Sequence, residues 1–303
     1  MTLAPARPLP EVNVDAALVA ELLASQMPEA SGLELGERLE GRDSVVWRLG
    51  DAWAVRLPHR QVAADRQATE VDWLPRIGQG WPFKAPIPVR VGSPGSGFPW
   101  RWSITPWVLG ESSATASLST KGAVQLGQAL AALHAPAPAL APRHPKRSQP
   151  LAVRGSRFED KLSTLARRAS GTAWQINLDC AHQVFERGAS ISRPAPTWAH
   201  LDLRGPHVLT HRSSLAGIIG WGNAAAGDPA ADIGQALVLL PPDRWDAFIG
   251  GLGGVDLPTF ARARAEAIDF ATGLALSADR ADVAAGWLGL EALGLAQHHS
   301  EHP

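Results

Sequence analysis

The sequence has no tyrosine and only one cysteine, Cys180. A single cysteine excludes an internal disulfide, which suits a reducing compartment, so a cytoplasmic protein is expected. Lysine is scarce: Lys84, Lys121, Lys146 and Lys161 are the only ones, and arginine supplies the rest of the basic charge. With abundant alanine, glycine and proline, that bias reads as GC-rich coding. The formal net charge is -1 over 303 residues. A chain so nearly neutral is not built to coat nucleic acid or an anionic membrane. No apolar run approaches the roughly 20 residues that span a bilayer. Met1 to Pro10 also lacks the apolar segment of a secretory signal. What is present is a hydrophobic fraction of 45%, enough for a sizeable core in one large domain or two modest ones.

Taken in order, Val14 to Gln26 predicts a short helix. Leu33–Leu39, Ser44–Leu49 and Trp53–Leu57 predict three antiparallel strands, with turns at Gly41-Arg42-Asp43 and Gly50-Asp51. Gln61 to Pro75 reads as a helix carrying Glu70. Strands follow near Val91 and over Arg101–Val108. Thr120 to His134 has a strong amphipathic pattern. Ala135 to Pro150, rich in proline and basic residues, reads as an exposed loop. Phe158–Ala169 and Trp174–Gly188 read as helices. So do the segments near Asp232–Leu240, Asp243–Gly250, Pro258–Ser277 and Asp279–Ala296. The tail from Gln297 is expected to fray, although His298, His299 and His302 give it the means for adventitious metal binding.

The densest chemistry lies in Trp198 to Gly234, which holds His200, Asp202, His207, Trp221, Asp228 and Asp232. Its apolar runs at Val208-Leu209 and Leu215–Ile219 predict a hairpin around His211 to Ser214. On residue type alone, Asp202 is either a turn-capping carboxylate or a group that orients or deprotonates a hydroxyl. Asp228 and Asp232 read as caps of the next turn and helix. The whole chain predicts a small β-rich lobe and a larger helical lobe interrupted by one hairpin. A cleft between such lobes is a preferred ligand site.

These motifs together resemble the aminoglycoside and macrolide phosphotransferases, small-molecule kinases. Gly41 to Arg60 looks like that family's phosphate-side hairpin and nucleotide-binding strand, and Glu70 to Pro75 like its following helix. Val91 to Glu111 resembles its strand pair and hinge. His200-x-Asp202, four residues and His207 resemble its catalytic loop, with His207 leaning toward the macrolide branch. Ile219-Gly220-Trp221 and Gly227-Asp228-Pro229 resemble its Ile-Asp-Trp strand end and Gly-Asp-Pro turn. The resemblance implies an α+β, bilobal protein-kinase-like fold. Residues 1–109 would be the nucleotide-binding lobe ending in the hinge, and 110–303 the helical lobe with the catalytic loop.

The resemblance also implies roles. Asp202 would receive or orient the acceptor hydroxyl, His200 would hold the loop, and Arg204 would face the γ-phosphate or solvent. Arg56 would grip the α- and β-phosphates, paired by Glu70, and Ser44 would offer its N–H and hydroxyl to a phosphate. The backbone of Trp107, Val108 and Leu109 would read a purine edge, leaving ATP and GTP open. Mg²⁺ needs hard oxygen ligands, yet Gly220 stands where an aspartate ligand is expected, and His207 offers only nitrogen. Three readings remain open: a kinase disabled at Gly220, a member using another ligand, and a pseudokinase that binds nucleotide or small molecule without turnover. The expected activity is transfer of the γ-phosphate of ATP or GTP to an antibiotic hydroxyl. A metal-dependent hydrolase built on His200, Asp202 and His207 lacks further ligands at a persuasive spacing.

Overall fold

The computed structural model describes residues 9–41 and 44–299. The chain divides into two compact units: residues up to Leu109 together with Gly217–Asn223, and Gly110–Ala216 together with the residues from Ala224 onward.

The first unit opens with α1 (Ala16–Gln26). Asp15 caps it, its Oδ1 accepting from the amide of Leu18 at 2.9 Å, one of the otherwise unpaired donors of a helix start. A sheet follows from β1 (Leu35–Glu40), β2 (Ser44–Leu49) and β3 (Trp53–Pro58). After α2 (Gln61–Ile77) come β4 (Arg90–Gly92) and β5 (Trp102–Pro106). The antiparallel order is β1-β2-β3-β5-β4. The expected turn residues Arg42 and Asp43 lie outside the described residues; Gly41 N–H donates to the Ser44 carbonyl at 2.9 Å across them. The side-chain period of two sends Val45, Leu49, Val55 and Leu57 into a core with Leu22, Leu23, Trp102 and Ile104. Arg56 lies on the other face with Ala54. The α2 helix does not stop at Pro75. Proline removes one N–H, yet Gly78 N–H still reaches the Leu74 carbonyl at 2.9 Å, so a last turn forms.

The second unit holds β6 (Glu111–Ser112), α3 (Thr120–Leu133), α4 (Gly155–Ala169), β7 (Trp174–Ile176) and α5 (Leu178–Ala189). Then come β8 (Thr197–Ala199), β9 (Val208–His211), β10 (Ser214–Ile218, whose last two residues count with the first unit) and β11 (Ala225–Gly227). The helices α6 (Ala230–Leu239), α7 (Trp245–Gly251), α8 (Leu257–Ala275) and α9 (Arg280–Ala292) precede β12 (Ala296–His298). The hairpin turn between β9 and β10 is Arg212-Ser213, with φ of 48° and 58°, the twist that suits a two-residue turn. Helix α8 is the hub: Ala265, Ala267, Ile268 and Ala271 share a core with Phe158, Phe185, Trp287 and Leu290.

Three expectations are corrected. Trp174–Gly188 is not one helix: Asn177 starts α5 by accepting from Cys180 N–H at 3.0 Å, and Trp174–Ile176 is a strand. The tail does not fray at Gln297. Ala296–His298 pairs antiparallel with that strand, His298 packs edge-on to Trp174 at 4.8 Å, and His299 bonds Gln175 at 2.9 Å. His302 lies outside the described residues. The 135–150 segment is anchored rather than simply exposed: the buried Ser148 donates to the Ala226 carbonyl at 2.6 Å and accepts from His144 N–H at 2.8 Å. The Asn177 cap is a local signal, but the pairing of the tail with Trp174–Ile176 and the bond from Ser148 to Ala226 have none, because those partners are distant in the chain.

Candidate functional site

The first unit gathers one group of predicted residues. Arg56 on β3 forms an ion pair with Glu70 on α2. Glu70 is buried, and among the described residues its Oε1 has no hydrogen-bond partner. Against it lies the 217–223 segment: a Cβ on Gly222 would stand 3.2 Å from Glu70 Oε1 and 3.2 Å from Arg66 Cβ. Trp221 fixes that segment. It is fully buried, donates from Nε1 to the Ile218 carbonyl at 2.8 Å, and stacks on Trp81 at 4.7 Å. Gly220, its neighbour, has φ +78°. Ser44 is buried at the start of β2, paired in register with Pro58. At the end of this unit the Trp107 N–H is already spent on the Ala52 carbonyl at 2.8 Å, so it is not open to a purine as expected. Among the described residues, the amides of Val108 and Leu109 take no such partner, and Leu109 is exposed.

The second unit gathers the other group on the loop between β8 and β9. Asp232 builds it from below. Expected as a helix cap, it sits instead in the first turn of α6, fully buried, because α6 starts two residues earlier after Pro229. Its Oδ2 accepts from His200 N–H at 2.7 Å and its Oδ1 from Leu201 N–H at 2.8 Å, while His134 Nε2 is 3.2 Å from Oδ2. These bonds hold Leu201 at φ +59°, an unusual conformation for a branched residue. His200 Nδ1 accepts from the Asp202 amide at 3.2 Å, so this ring acts on the backbone. Asp228 does cap its turn, accepting from Ala230 N–H at 3.0 Å, and also pairs with Arg262 at 2.8 Å.

Asp202 stands on this frame with its side chain 14% exposed. Arg147 Nη1 donates to its Oδ1 at 3.1 Å and also to the Leu201 carbonyl. Arg204 Nε lies 3.5 Å from Asp202, but its Nη1 is bound by both oxygens of Asp282, at 3.1 and 3.0 Å. Through that Nη1, Arg204 braces the loop against α9. Burial pushes the Asp202 carboxyl up, but Arg147 and the other basic groups outweigh it and hold the carboxyl well below the usual range. His207 Nδ1 is 2.7 Å from the Asp202 carbonyl. A carbonyl only accepts, so Nδ1 carries the proton and Nε2 keeps its lone pair. Burial lowers the His207 pKa to about 4, against the pull of Asp202; the ring is neutral at pH 7, so at that pH Asp202 is held down by the arginines.

The pH dependence follows. With His207 at about 4 when folded and 6.5 when unfolded, the unfolded chain binds more protons between those values. Stability is then fully present above pH 6.5 and falls by about 2–3 kcal/mol as pH drops toward 4; Asp202 adds a further loss below its unfolded value of 3.8. Denaturant titrations at pH 7 and pH 4.5 measure this, and His207→Gln should flatten the step.

Arg147 was missed by sequence reasoning, since nothing in a basic, proline-rich stretch marks which arginine faces a carboxylate 55 residues away. Two cavities, of about 210 Å³ beside Trp53 and Ile104 and about 360 Å³ beside Arg262 and Glu266, do not include the loop. Mg²⁺ does not fit the residues present. Gly220 offers no oxygen ligand from a side chain, and among the described residues no group of three or more His, Cys, Asp or Glu is placed to hold a metal.

Solved structures similar to this chain share a protein-kinase-like fold. The aminoglycoside 2'-phosphotransferase-IIIa bound to GDP is 18% identical, with a TM-score of 0.62 over 93% of this chain and 99% of that one. The macrolide 2'-phosphotransferase MphH from Brachybacterium faecium is 21% identical, with a TM-score of 0.57 over 91% and 98%. A type I macrolide 2'-phosphotransferase is also 21% identical, with a TM-score of 0.58 over 92% and 97%. No curated protein sequence matches the chain. The chain belongs to the phosphotransferase enzyme family, whose sequence profile matches residues 35–268. No helix among the described residues is long and apolar enough to cross a membrane.

Proposed function

We propose that this protein is a cytoplasmic small-molecule kinase that moves the γ-phosphate of ATP or GTP to a hydroxyl of an antibiotic-type acceptor. The observation that carries the reading is Asp202, ionised and oriented on a buried hydrogen-bonded frame. In the transfer, the acceptor oxygen bonds to the γ-phosphorus as the bond to the nucleoside diphosphate oxygen breaks, and the hydroxyl proton leaves to solvent. Such transfer asks for positioning and charge neutralisation more than for a strong base. A carboxylate as weakly basic as Asp202 suits orientation of the hydroxyl. On the donor side, Arg56 braced by Glu70 is the cation for the phosphates, with Ser44 at the start of the adjoining strand. The amides of Val108 and Leu109 are the groups for a purine edge. The names of similar structures, which carry GDP, ADP or ATP and kanamycin, streptomycin or gentamicin, support a nucleotide donor and an antibiotic acceptor.

Gly220 favours a second reading: a pseudokinase that binds nucleotide or small molecule with little turnover. A thermal-shift screen tests both together. Saturating ATP or GTP at about 100 times its Kd should stabilise the protein by about 2.7 kcal/mol. If neither nucleotides nor antibiotics move the melting temperature, both readings fall.

A further inference from the structure

Arg147, from the 135–150 segment, is held against the loop that carries Asp202 in an arrangement that leaves half of its guanidinium open. Its Nη1 is used by Asp202 and the Leu201 carbonyl. Among the described residues, Nε and Nη2 make no hydrogen bond, and neither is among the buried polar atoms; the side chain is 29% exposed. Nε and Nη2 form the flat edge of the group, the geometry that takes a carboxylate with two parallel hydrogen bonds. The plane of the group rests near the Phe270 ring, 5.4 Å from its centroid.

The edge is also preorganised. Arg147 N–H donates to His144 Nδ1 at 3.0 Å. The next residue, Ser148, is buried and bonded on both sides, and its carbonyl accepts from Arg193 at 2.7 Å. An arginine fixed in this way loses little entropy on binding.

The surrounding charges argue against a polycation. Asp282 is matched by Arg204, Asp269 by Lys161 and Arg154, and Asp202 by Arg147 itself. Each of these three carboxylates already has a cationic partner among the described residues, which weakens their pull on ammonium groups, and Arg147 would repel them.

We propose that Arg147 reads the acceptor: the hydroxyl presented to Asp202 belongs to a hydroxy acid whose carboxylate docks on the Nε–Nη2 edge of Arg147. The inference rests on the reading of Asp202 as the residue that orients the acceptor. It narrows the acceptor to a carboxylate-bearing compound and sets the chain apart from a binder of polycations.

The test is ligand-observed NMR titration of the full-length protein with a matched set of probes: glycerate, its methyl ester and 3-amino-1,2-propanediol. Nucleotide affinity is measured on the same samples. Glycerate should bind about tenfold or more tightly than either analogue. Arg147→Gln should erase that preference, and Arg147→Lys, which keeps charge without the fork, should retain only part of it. If Arg147→Gln does not fold, the lysine variant and Phe270→Leu carry the comparison. Equal or tighter binding of the amine or the ester overturns the inference, as does a preference unchanged by the variants, or no glycerate binding by a protein that binds nucleotide. In each of those cases the kinase reading survives. Loss of nucleotide binding in the unaltered protein would remove the kinase reading, and this inference with it.

Discussion

Asp232→Ala is expected to destabilise the protein by about 3–5 kcal/mol, read as a shift in the denaturant midpoint at constant slope. The carboxylate is fully buried and serves three donors at once: the amides of His200 and Leu201 and the imidazole of His134. Its loss leaves buried N–H groups without acceptors, each costing about 1–3 kcal/mol. It also releases Leu201 from φ +59°, a conformation that persists only where neighbours over-determine it. Asp232→Asn keeps one acceptor oxygen and should fall between the alanine variant and the native protein. A loss below about 1 kcal/mol in the alanine variant would show that the loop is held by something else.

The second large effect is a gain. Gly220→Asp should raise phosphate transfer by about 100-fold or more and make nucleotide binding depend on Mg²⁺, if the position has lost a charge-stabilising ligand. The backbone allows the change. Gly220 has φ +78°, and aspartate is among the few residues that tolerate the left-handed region, at a cost of about 1–2 kcal/mol. Activity and melting temperature should therefore move in opposite directions, which a merely stabilising substitution would not do. Gly222→Asp is the control: its Cβ would face the Glu70 carboxylate at 3.2 Å, and it should yield no gain. Tight nucleotide binding by Gly220→Asp with no added transfer would favour a dedicated binder.

The contrast between Asp202 and Asp232 shows what the sequence could and could not disclose. Asp202 was legible because a histidine two residues before it and another five after it are local marks of a loop. The strands of the first unit were legible for the same reason, since their period of two and their glycine turns are written into adjacent residues. Asp232 looked like a helix cap because its bonds run to amides more than thirty residues away. Arg147 gave no mark at all, and Arg204 looked free until Asp282, 78 residues on, was seen to hold it. The strand at Trp174 was hidden because its partner is the far end of the chain. Short-range chemistry is visible in one sequence, while pairing across the fold is not.

The tryptophan stacks have an optical consequence. Among the described residues the stacked tryptophan pairs are Trp81 with Trp221 at 4.7 Å, in the first unit, and Trp174 with Trp287 at 5.0 Å, in the second. Rings so close couple their electronic transitions, and the chain has no tyrosine to overlap their near-ultraviolet bands. Each unit thus carries its own exciton signature in circular dichroism. The pair in the first unit includes the residue that follows Gly220, so the spectrum itself reports whether the segment bearing the missing carboxylate is seated.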